Sequence, residues 1–395
     1  MDDSVQKNIK KTAGVITTAS LVSIFVYSFV VSLPGILINE VVETFSLEGT
    51  SEGLMGTLTS FGFLLSLFFV ILFQGRAKKT TILIAALAAQ AITLFLCGFS
   101  PVFFLFCISC LLVGFCGGFI DTNTNSTIVD VRKNESARYL GYLHGLFGVG
   151  SLLSPLLLIW ALRHTSWRGI HYALAIASLL IMLLVYMLTR GHAGTGEQAM
   201  GREQLFTKAD LLSYIKSKRN ITLALAAFFS MFLIACVTMW IRRYMTLRYD
   251  ADDLGALSIT VFWVCVTANR FLLAQLIKKA PMKFFALGTL LSGVFILIGV
   301  FSGNPVVLCV MTGAFGFCSG HFVPVLVSES AVGFEGRTTF TTSIIMFVMS
   351  AGRMVAPVTI AFISSQISLT FGMMLPIAAA VLATVFGWFA IRKPT

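Results

Sequence analysis

The sequence predicts an all-α membrane protein with twelve transmembrane helices in two six-helix bundles. Three observations predict this fold class: the composition, the length of the apolar runs and an internal repeat. Apolar residues make up 57% of the 395 residues and charged residues only 11%, with a mean hydropathy of +0.91. Soluble proteins carry about 25% charged residues because water covers their surface, so most of this surface must face lipid.

The apolar residues form twelve runs of about 20 residues, the length that a helix needs to cross about 30 Å of hydrocarbon. Helices are expected because they satisfy their own backbone hydrogen bonds away from water. The predicted spans are 13–39, 52–74, 81–99, 102–130, 138–161, 168–189, 219–247, 253–277, 283–302, 305–330, 338–363 and 370–391.

The longest polar stretch, residues 190–218, divides the spans into two groups of six. We therefore predict an N-terminal bundle at 1–189, a cytoplasmic linker at 190–218 and a C-terminal bundle at 219–395. The end of the linker, 210–218, has the pattern of a short amphipathic surface helix.

The 28 lysine and arginine residues are distributed unevenly between the two ends of the predicted helices. The termini and the loops on their side carry 21 of them, whereas the opposite loops carry only five. Positive residues favour cytoplasmic loops, so both termini are predicted to be cytoplasmic. This asymmetry accounts for the net charge of +11, and no nucleic-acid partner is expected.

An internal repeat relates the two groups of spans. The matching positions, each 202 residues apart, are Gly114–Gly118 with Gly316–Gly320, Gly150 with Gly352, and Pro155 with Pro357. A register that is kept from one span to the next indicates parallel repeats, related by an axis along the membrane normal.

Polar side chains inside the spans are the candidate functional residues, because a charge in hydrocarbon costs about 2.5–3.5 kcal/mol even on the most lenient scale. Asp121 and Asn125 in span 4 are four residues apart and therefore share a helix face. A carboxylate and a carboxamide suit the recognition of hydroxyl groups, so both residues are predicted to bind the solute. The alternative is a polar pair that bonds a neighbouring helix.

Arg353 lies about 16 residues into span 11, where its guanidinium keeps its proton and needs an anion. Two hypotheses stay open. Arg353 pairs with Asp121, or it binds an anionic solute, together with Arg242 and Arg243.

His321 lies 202 residues after Phe119, two positions from the counterpart of Asp121. It is expected to contact the solute or to share a proton with Asp121, and a buried structural histidine is the alternative. The remaining solute-binding candidates are His144, Trp240 and Trp263, whose two indole rings could stack on a sugar ring. The cysteines lie inside apolar runs without a zinc-binding pattern, so no metal site and no cofactor are predicted.

The parallel halves and the cytoplasmic central loop resemble the major facilitator superfamily over essentially the whole chain. The motifs that resemble its fucose-permease-like branch are Asp121-Thr-x-x-Asn125 in span 4, His144-x-x-x-Gly148-x-Gly150 with Pro155 in span 5, and Phe262-Trp263 with Arg270 in span 8. That branch carries a further acid in span 1, where the nearest acid of this chain, Glu40, is close to the outer end.

This resemblance implies two bundles that rock around a central cavity lined by spans 1, 4, 7 and 10. It also implies a solute-binding and protonatable role for Asp121 and a solute contact for Asn125. We therefore expect a monomeric secondary active transporter, not an enzyme, that moves a sugar or sugar derivative across a bacterial inner or plasma membrane, with a proton as the coupling ion. The alternatives are an organic-anion transporter and an exporter of metabolites or drugs.

Overall fold

The computed structural model describes residues 3–73, 77–132, 135–190, 208–332 and 338–391. Within these residues the regular structure is entirely helical. Twelve of the described segments are long and apolar enough to cross a membrane. This result confirms the predicted all-α fold class and the number of spans.

The helices lie close to the predicted spans. They are α1 (Asp3–Ile36), α2 (Ile38–Phe45), a 3-10 helix (Gly49–Gly53), α3 (Leu54–Phe73), α4 (Lys79–Phe99), α5 (Phe103–Arg132), α6 (Ser136–Leu162), α7 (Trp167–Thr189), α8 (Lys208–Lys216), α9 (Lys218–Tyr249), α10 (Asp252–Leu272), α11 (Ala274–Ile277), α12 (Pro281–Phe301), α13 (Pro305–Ser319), α14 (Phe322–Ser330), α15 (Thr338–Gln366), α16 (Leu369–Gly372) and α17 (Leu375–Phe389). Spans 1 to 6 are formed by α1, α3, α4, α5, α6 and α7. Spans 7, 8, 9 and 11 are α9, α10, α12 and α15, span 10 combines α13 with α14, and span 12 combines α16 with α17.

Four spans end or break where the prediction placed continuous helix. Span 12 is divided between Gly372 and Leu375. Span 1 stops at Ile36 because Leu37 lies outside the helix, and span 8 stops at Leu272 before the short α11. Span 10 is interrupted between Ser319 and Phe322. Pro324 contributes to this break, since it has no N–H to donate to the carbonyl four residues earlier. A proline alone does not break a span, because Pro155 and Pro357 lie inside continuous helices.

Glycines at matching positions pack in the same way in both halves. A Cβ on Gly150 of span 5 would collide with Ser28 of span 1, and a Cβ on Gly352 of span 11 would collide with Phe228 of span 7. The repeat predicted from sequence is therefore also a repeat of helix contacts, in which small residues let neighbouring helices approach closely.

The chain forms two compact units that do not coincide with a single cut in the sequence. One contains Met1–Leu33 and Phe61–Glu203, and the other contains Pro34–Ser60 and Gln204–Thr395. We call Pro34–Ser60 the hairpin segment, because it joins span 1 to span 2 yet packs with the second half. The predicted surface helix is present as α8, whereas linker residues 191–207 lie outside the described residues. The cytoplasmic location of the termini stays a prediction.

Candidate functional site

The polar residues of span 4 divide between two faces of one helix. The side chains of Asn123, Thr124 and Thr127 are buried. Those of Asp121 and Asn125, four residues apart, are only partly buried. Both faces lie within an otherwise apolar span, and the partly open one is the face that is accessible to other groups.

Asp121 and Asn125 share a helix face, as the sequence predicted, and in the structure they also contact each other. The amide nitrogen of Asn125 donates to the main-chain carbonyl of Asp121 at 2.8 Å and to its carboxylate oxygen Oδ1 at 3.3 Å. A carbonyl oxygen can only accept a hydrogen bond, so the nitrogen of this amide must point back towards Asp121. The amide oxygen of Asn125 is therefore directed away from that carbonyl.

The hydroxyl groups beside this pair also direct their hydrogens into the helix. Thr124 donates to the carbonyl of Asp121 at 2.9 Å, and Ser126 donates to the carbonyl of Asn123 at 3.3 Å. Such bonds to a preceding carbonyl are the usual way in which serine and threonine satisfy their hydroxyl donors in a helix. The hydroxyl donors of Thr124 and Ser126 are thus used within the helix.

His144 and Arg353 lie in different units of the structure. His144 is exposed on span 5 of the first unit, and Arg353 is partly buried on span 11 of the second. Both side chains make contacts of their own. The solute-binding role of His144 and both hypotheses for Arg353 stay predictions.

The imidazole of His321 is directed at span 9. It is 4% exposed, and its Nε2 lies 3.0 Å from the carbonyl oxygen of Phe284. Because that oxygen can only accept, Nε2 carries the hydrogen, and Nδ1 has no hydrogen-bond partner among the described residues. In the structure the His321 side chain packs against span 9. Its contact with the solute and its sharing of a proton with Asp121 stay predictions.

The two tryptophan candidates differ in exposure. Trp240 is 1% exposed, inside the second unit. Trp263 is partly buried, and its ring meets that of Phe262 edge-on at 5.3 Å. Of the two, Trp263 is the one whose ring a solute could reach without a change in packing.

Arg242 and Arg243 do not have the environment that the anion-binding hypothesis assumed. Arg242 forms ion pairs with Glu40 and Asp252, both at 2.6 Å. Arg243 forms an ion pair with Glu52 at 2.6 Å. Protein carboxylates therefore already neutralise both guanidinium groups. The sequence contained a signal for the first pair, since Glu40 and Arg242 are opposite charges separated by the repeat offset of 202 residues.

No group of three histidine, cysteine, aspartate or glutamate side chains within the described ranges could hold a metal ion.

Several solved structures have a similar fold. A bacterial homologue of the human lysosomal transporter Spinster, in an inward-facing and unoccupied conformation, aligns with a TM-score of 0.78 at 14% identity, covering 98% of this chain and 97% of that chain. The E. coli fucose:proton symporter FucP aligns with a TM-score of 0.63 at 16% identity, covering 95% and 98%. The nucleoside transporter NupG gives 0.75 at 13% identity, covering 96% and 100%.

No protein of curated function matches the sequence significantly. The sequence profile of the Major Facilitator Superfamily, however, matches residues 20–289, well over half of the chain. With twelve spans and repeated helix packing, this match establishes that the chain belongs to the Major Facilitator Superfamily.

Proposed function

We propose that this protein is a secondary active transporter that carries a sugar or sugar derivative across the cytoplasmic membrane by alternating access. Asp121 and Asn125 bind the solute in this proposal, and no enzymatic step is involved. The observation that carries it is the orientation of the Asn125 amide, whose nitrogen is bonded back to Asp121.

That orientation determines which partner the span 4 face can accept. Asp121 presents carboxylate oxygens and Asn125 presents an amide oxygen, and all of these are hydrogen-bond acceptors. The part of a solute that binds here must therefore supply donors. Sugar hydroxyls do so, whereas a carboxylate or a fully ionised phosphate group has no donor and is repelled by the charge of Asp121. The geometry thus favours the sugar hypothesis over the organic-anion hypothesis for this face.

The similar structures support the same class of solute. FucP is named for fucose and NupG for nucleosides, and both kinds of molecule carry several hydroxyl groups. Because FucP is described as a proton symporter, proton coupling is part of our proposal. Asp121 is the principal candidate for the proton site because it is a carboxylate within a span, and His321 is the second candidate.

A binding panel on the purified protein tests the donor requirement. The probes are neutral hexoses, the same hexoses with methylated hydroxyls, and the corresponding hexuronates, with affinities measured by calorimetry. We expect the neutral hexoses to bind best. The methyl ethers keep the oxygen acceptors but lose the donors, so they should bind at least about tenfold more weakly. A hexuronate that binds most tightly would contradict the proposal.

Two asparagines of span 4 form a matched pair of variants for the hexose that binds best. Asn125→Ala removes an acceptor from the partly open face and should weaken binding about tenfold. Asn123→Ala changes the same residue type on the buried face, where the side chain donates to the carbonyl of Phe119 at 3.0 Å. This second variant should lower stability and leave the affinity unchanged. Equal losses of affinity in both variants would argue against a solute contact at Asn125.

A further inference from the structure

The end of span 8 and the start of span 9 carry a cluster of basic residues. We infer that residues 270–283, which we call the basic connection, bind the headgroup of an anionic phospholipid. The apolar side chains beside the cations contact the acyl chains of the same lipid. This site is separate from the span 4 face and does not depend on which solute the protein carries.

The charge of this part of the chain is entirely positive. The basic connection contains four cations, Arg270, Lys278, Lys279 and Lys283. No acidic residue occurs between Asp253 and Glu329, and Glu329 already pairs with Arg219. Within the described residues, none of the four cations takes part in an ion pair. Their charge is therefore complementary to an anion from outside the chain.

The matching connection of the first half shows how a carboxylate can neutralise such a region. Lys79, at the start of span 3, forms an ion pair with Asp130 of span 4. The repeat matches Lys279 with Lys78 at an offset of 201 residues, and Val332 with Asp130 at an offset of 202. The second half thus keeps a lysine at this connection and has a valine in place of the acid.

Arg270 is exposed and can bind a phosphate without losing its contact to span 10. Its Nε donates to the carbonyl of Gly320 at 3.0 Å. This bond uses one of the five N–H donors of a guanidinium group. The two terminal nitrogens carry the other four, and this planar arrangement suits two oxygens of one phosphate group.

The rest of the positive charge comes from the turn into span 9. Lys278, Lys279 and Lys283 are all exposed there. Span 9 begins at Pro281, and the preceding residue, Ala280, has no side chain that could cap the helix. The partial positive charge of a helix N-terminus attracts anions, so it adds to the attraction of the lysines.

The apolar side chains of the basic connection favour a lipid over a soluble phosphate. Phe271 and Leu272 are 80% and 70% exposed at the end of span 8, and Leu276 of α11 is also exposed. Contact of such side chains with water is unfavourable. A free phosphate would satisfy the cations and leave these side chains in water, whereas the acyl chains of a phospholipid would cover them.

The membrane offers such a ligand on this side of the protein. The connection between spans 8 and 9 is one of the basic loops that the sequence predicts to be cytoplasmic. The cytoplasmic leaflet contains anionic lipids, which attract lysine and arginine side chains close to its surface. The proposed ligand is therefore an anionic phospholipid of that leaflet.

Native mass spectrometry of the full-length protein in detergent tests the site. The probes are phosphatidylglycerol, phosphatidylcholine with the same acyl chains, and glycerol 3-phosphate. We expect phosphatidylglycerol to bind at least about tenfold more tightly than phosphatidylcholine, and an excess of glycerol 3-phosphate should not displace it. Lys278→Gln with Lys279→Gln should weaken the binding of phosphatidylglycerol about tenfold.

Lys216→Gln with Lys218→Gln is the matched control, because it removes the same charge from two exposed lysines outside the basic connection. Its affinity for phosphatidylglycerol should equal that of the wild type. Equal losses in the two double variants would refute the site, since net charge alone would explain them. Equal binding of both lipids by the wild type, or displacement by glycerol 3-phosphate, would also refute it.

Hydrogen–deuterium exchange of the wild type gives a second test that needs no variant. The protein is compared in nanodiscs of phosphatidylcholine with and without phosphatidylglycerol. The anionic lipid should slow the exchange of amides in α11 about threefold and leave that of α8 unchanged. Exchange in α11 that is the same in both nanodiscs, or equal slowing in α8, would contradict the proposal.

Discussion

Arg270 shows how a single side chain can support an interrupted membrane helix. Pro324 cannot donate a hydrogen bond to the carbonyl of Gly320, which lies four residues earlier. Arg270 of span 8 supplies the missing donor, with its Nε 3.0 Å from the Gly320 oxygen. An unsatisfied carbonyl in hydrocarbon is costly. The guanidinium of Arg270 therefore stabilises the interruption of span 10.

This relation predicts that Arg270 and Pro324 are energetically coupled. Arg270→Ala should reduce the free energy of unfolding by about 1–3 kcal/mol, because the Gly320 carbonyl loses its donor. In a Pro324→Ala background the main chain supplies a donor, so the same substitution should cost at least about 1 kcal/mol less. Unfolding of the four variants in mixed micelles measures the coupling. If Arg270→Ala lowers the free energy of unfolding equally in both backgrounds, the hydrogen bond from Arg270 to the Gly320 carbonyl does not contribute to stability.

At the residue scale, the sequence predicted contacts within one helix better than contacts between helices. Asp121 and Asn125 could be placed on one face because helical spacing alone determines it. The direction of His321 could not be predicted, since the repeat offset gives a residue's depth in its span and not its rotamer. Arg242 was assigned to an anion site because helical spacing within span 7 does not reveal its partner Glu40, which lies in a different helix.

Spans 5 and 11 show how equivalent helices meet equivalent neighbours through different atoms. A Cβ on Gly150 would meet the hydroxyl of Ser28, the end of a side chain that can rotate. A Cβ on Gly352 would meet the carbonyl of Phe228, which belongs to the backbone of span 7. Substitution by alanine should therefore cost different amounts of stability at the two positions, although the two glycines match in the repeat.

We predict that Gly352→Ala lowers the free energy of unfolding by about 1–3 kcal/mol, because overpacking against a backbone carbonyl displaces a whole helix. Gly150→Ala should cost less, since Ser28 can change rotamer. Gly141→Ala in span 5 is the control, because nothing lies within 4 Å of its added Cβ. It should be neutral or stabilising, given that alanine favours helix by about 1 kcal/mol over glycine. The same unfolding assay ranks the three variants, and a reversed order of Gly150 and Gly352 would contradict this explanation.

The elements themselves were largely predictable, and their interruptions were predictable only in part. Apolar length determines a span, so the helices of the described chain lie within a few residues of the predicted ranges. Pro324 is a sequence signal that favours the break in span 10, because proline lacks an N–H. Leu37 carries no such signal, and at the end of span 1 the carbonyl of Ile36 accepts a hydrogen bond from Arg242 of span 7, a contact that the sequence does not reveal.

At the scale of the whole molecule, hydropathy and the repeat were sufficient to predict twelve spans in two halves. They did not predict that the hairpin segment belongs structurally with the second half. Periodicity assigns a residue to the helix in which it occurs, whereas the ion pairs of Glu40 and Glu52 join different helices. Specificity for the solute likewise depends on a few polar side chains. The average composition of the chain does not reveal it.

Uptake into proteoliposomes tests the central claim, that this molecule carries a hydroxyl-bearing solute with Asp121 in the binding and coupling role. The probe is the radiolabelled form of the hexose that binds best, with and without an inward proton gradient. We predict accumulation that requires the gradient in the wild type and is lost in Asp121→Asn. Uptake no faster than in liposomes without protein, or full gradient-driven accumulation by Asp121→Asn, would contradict it.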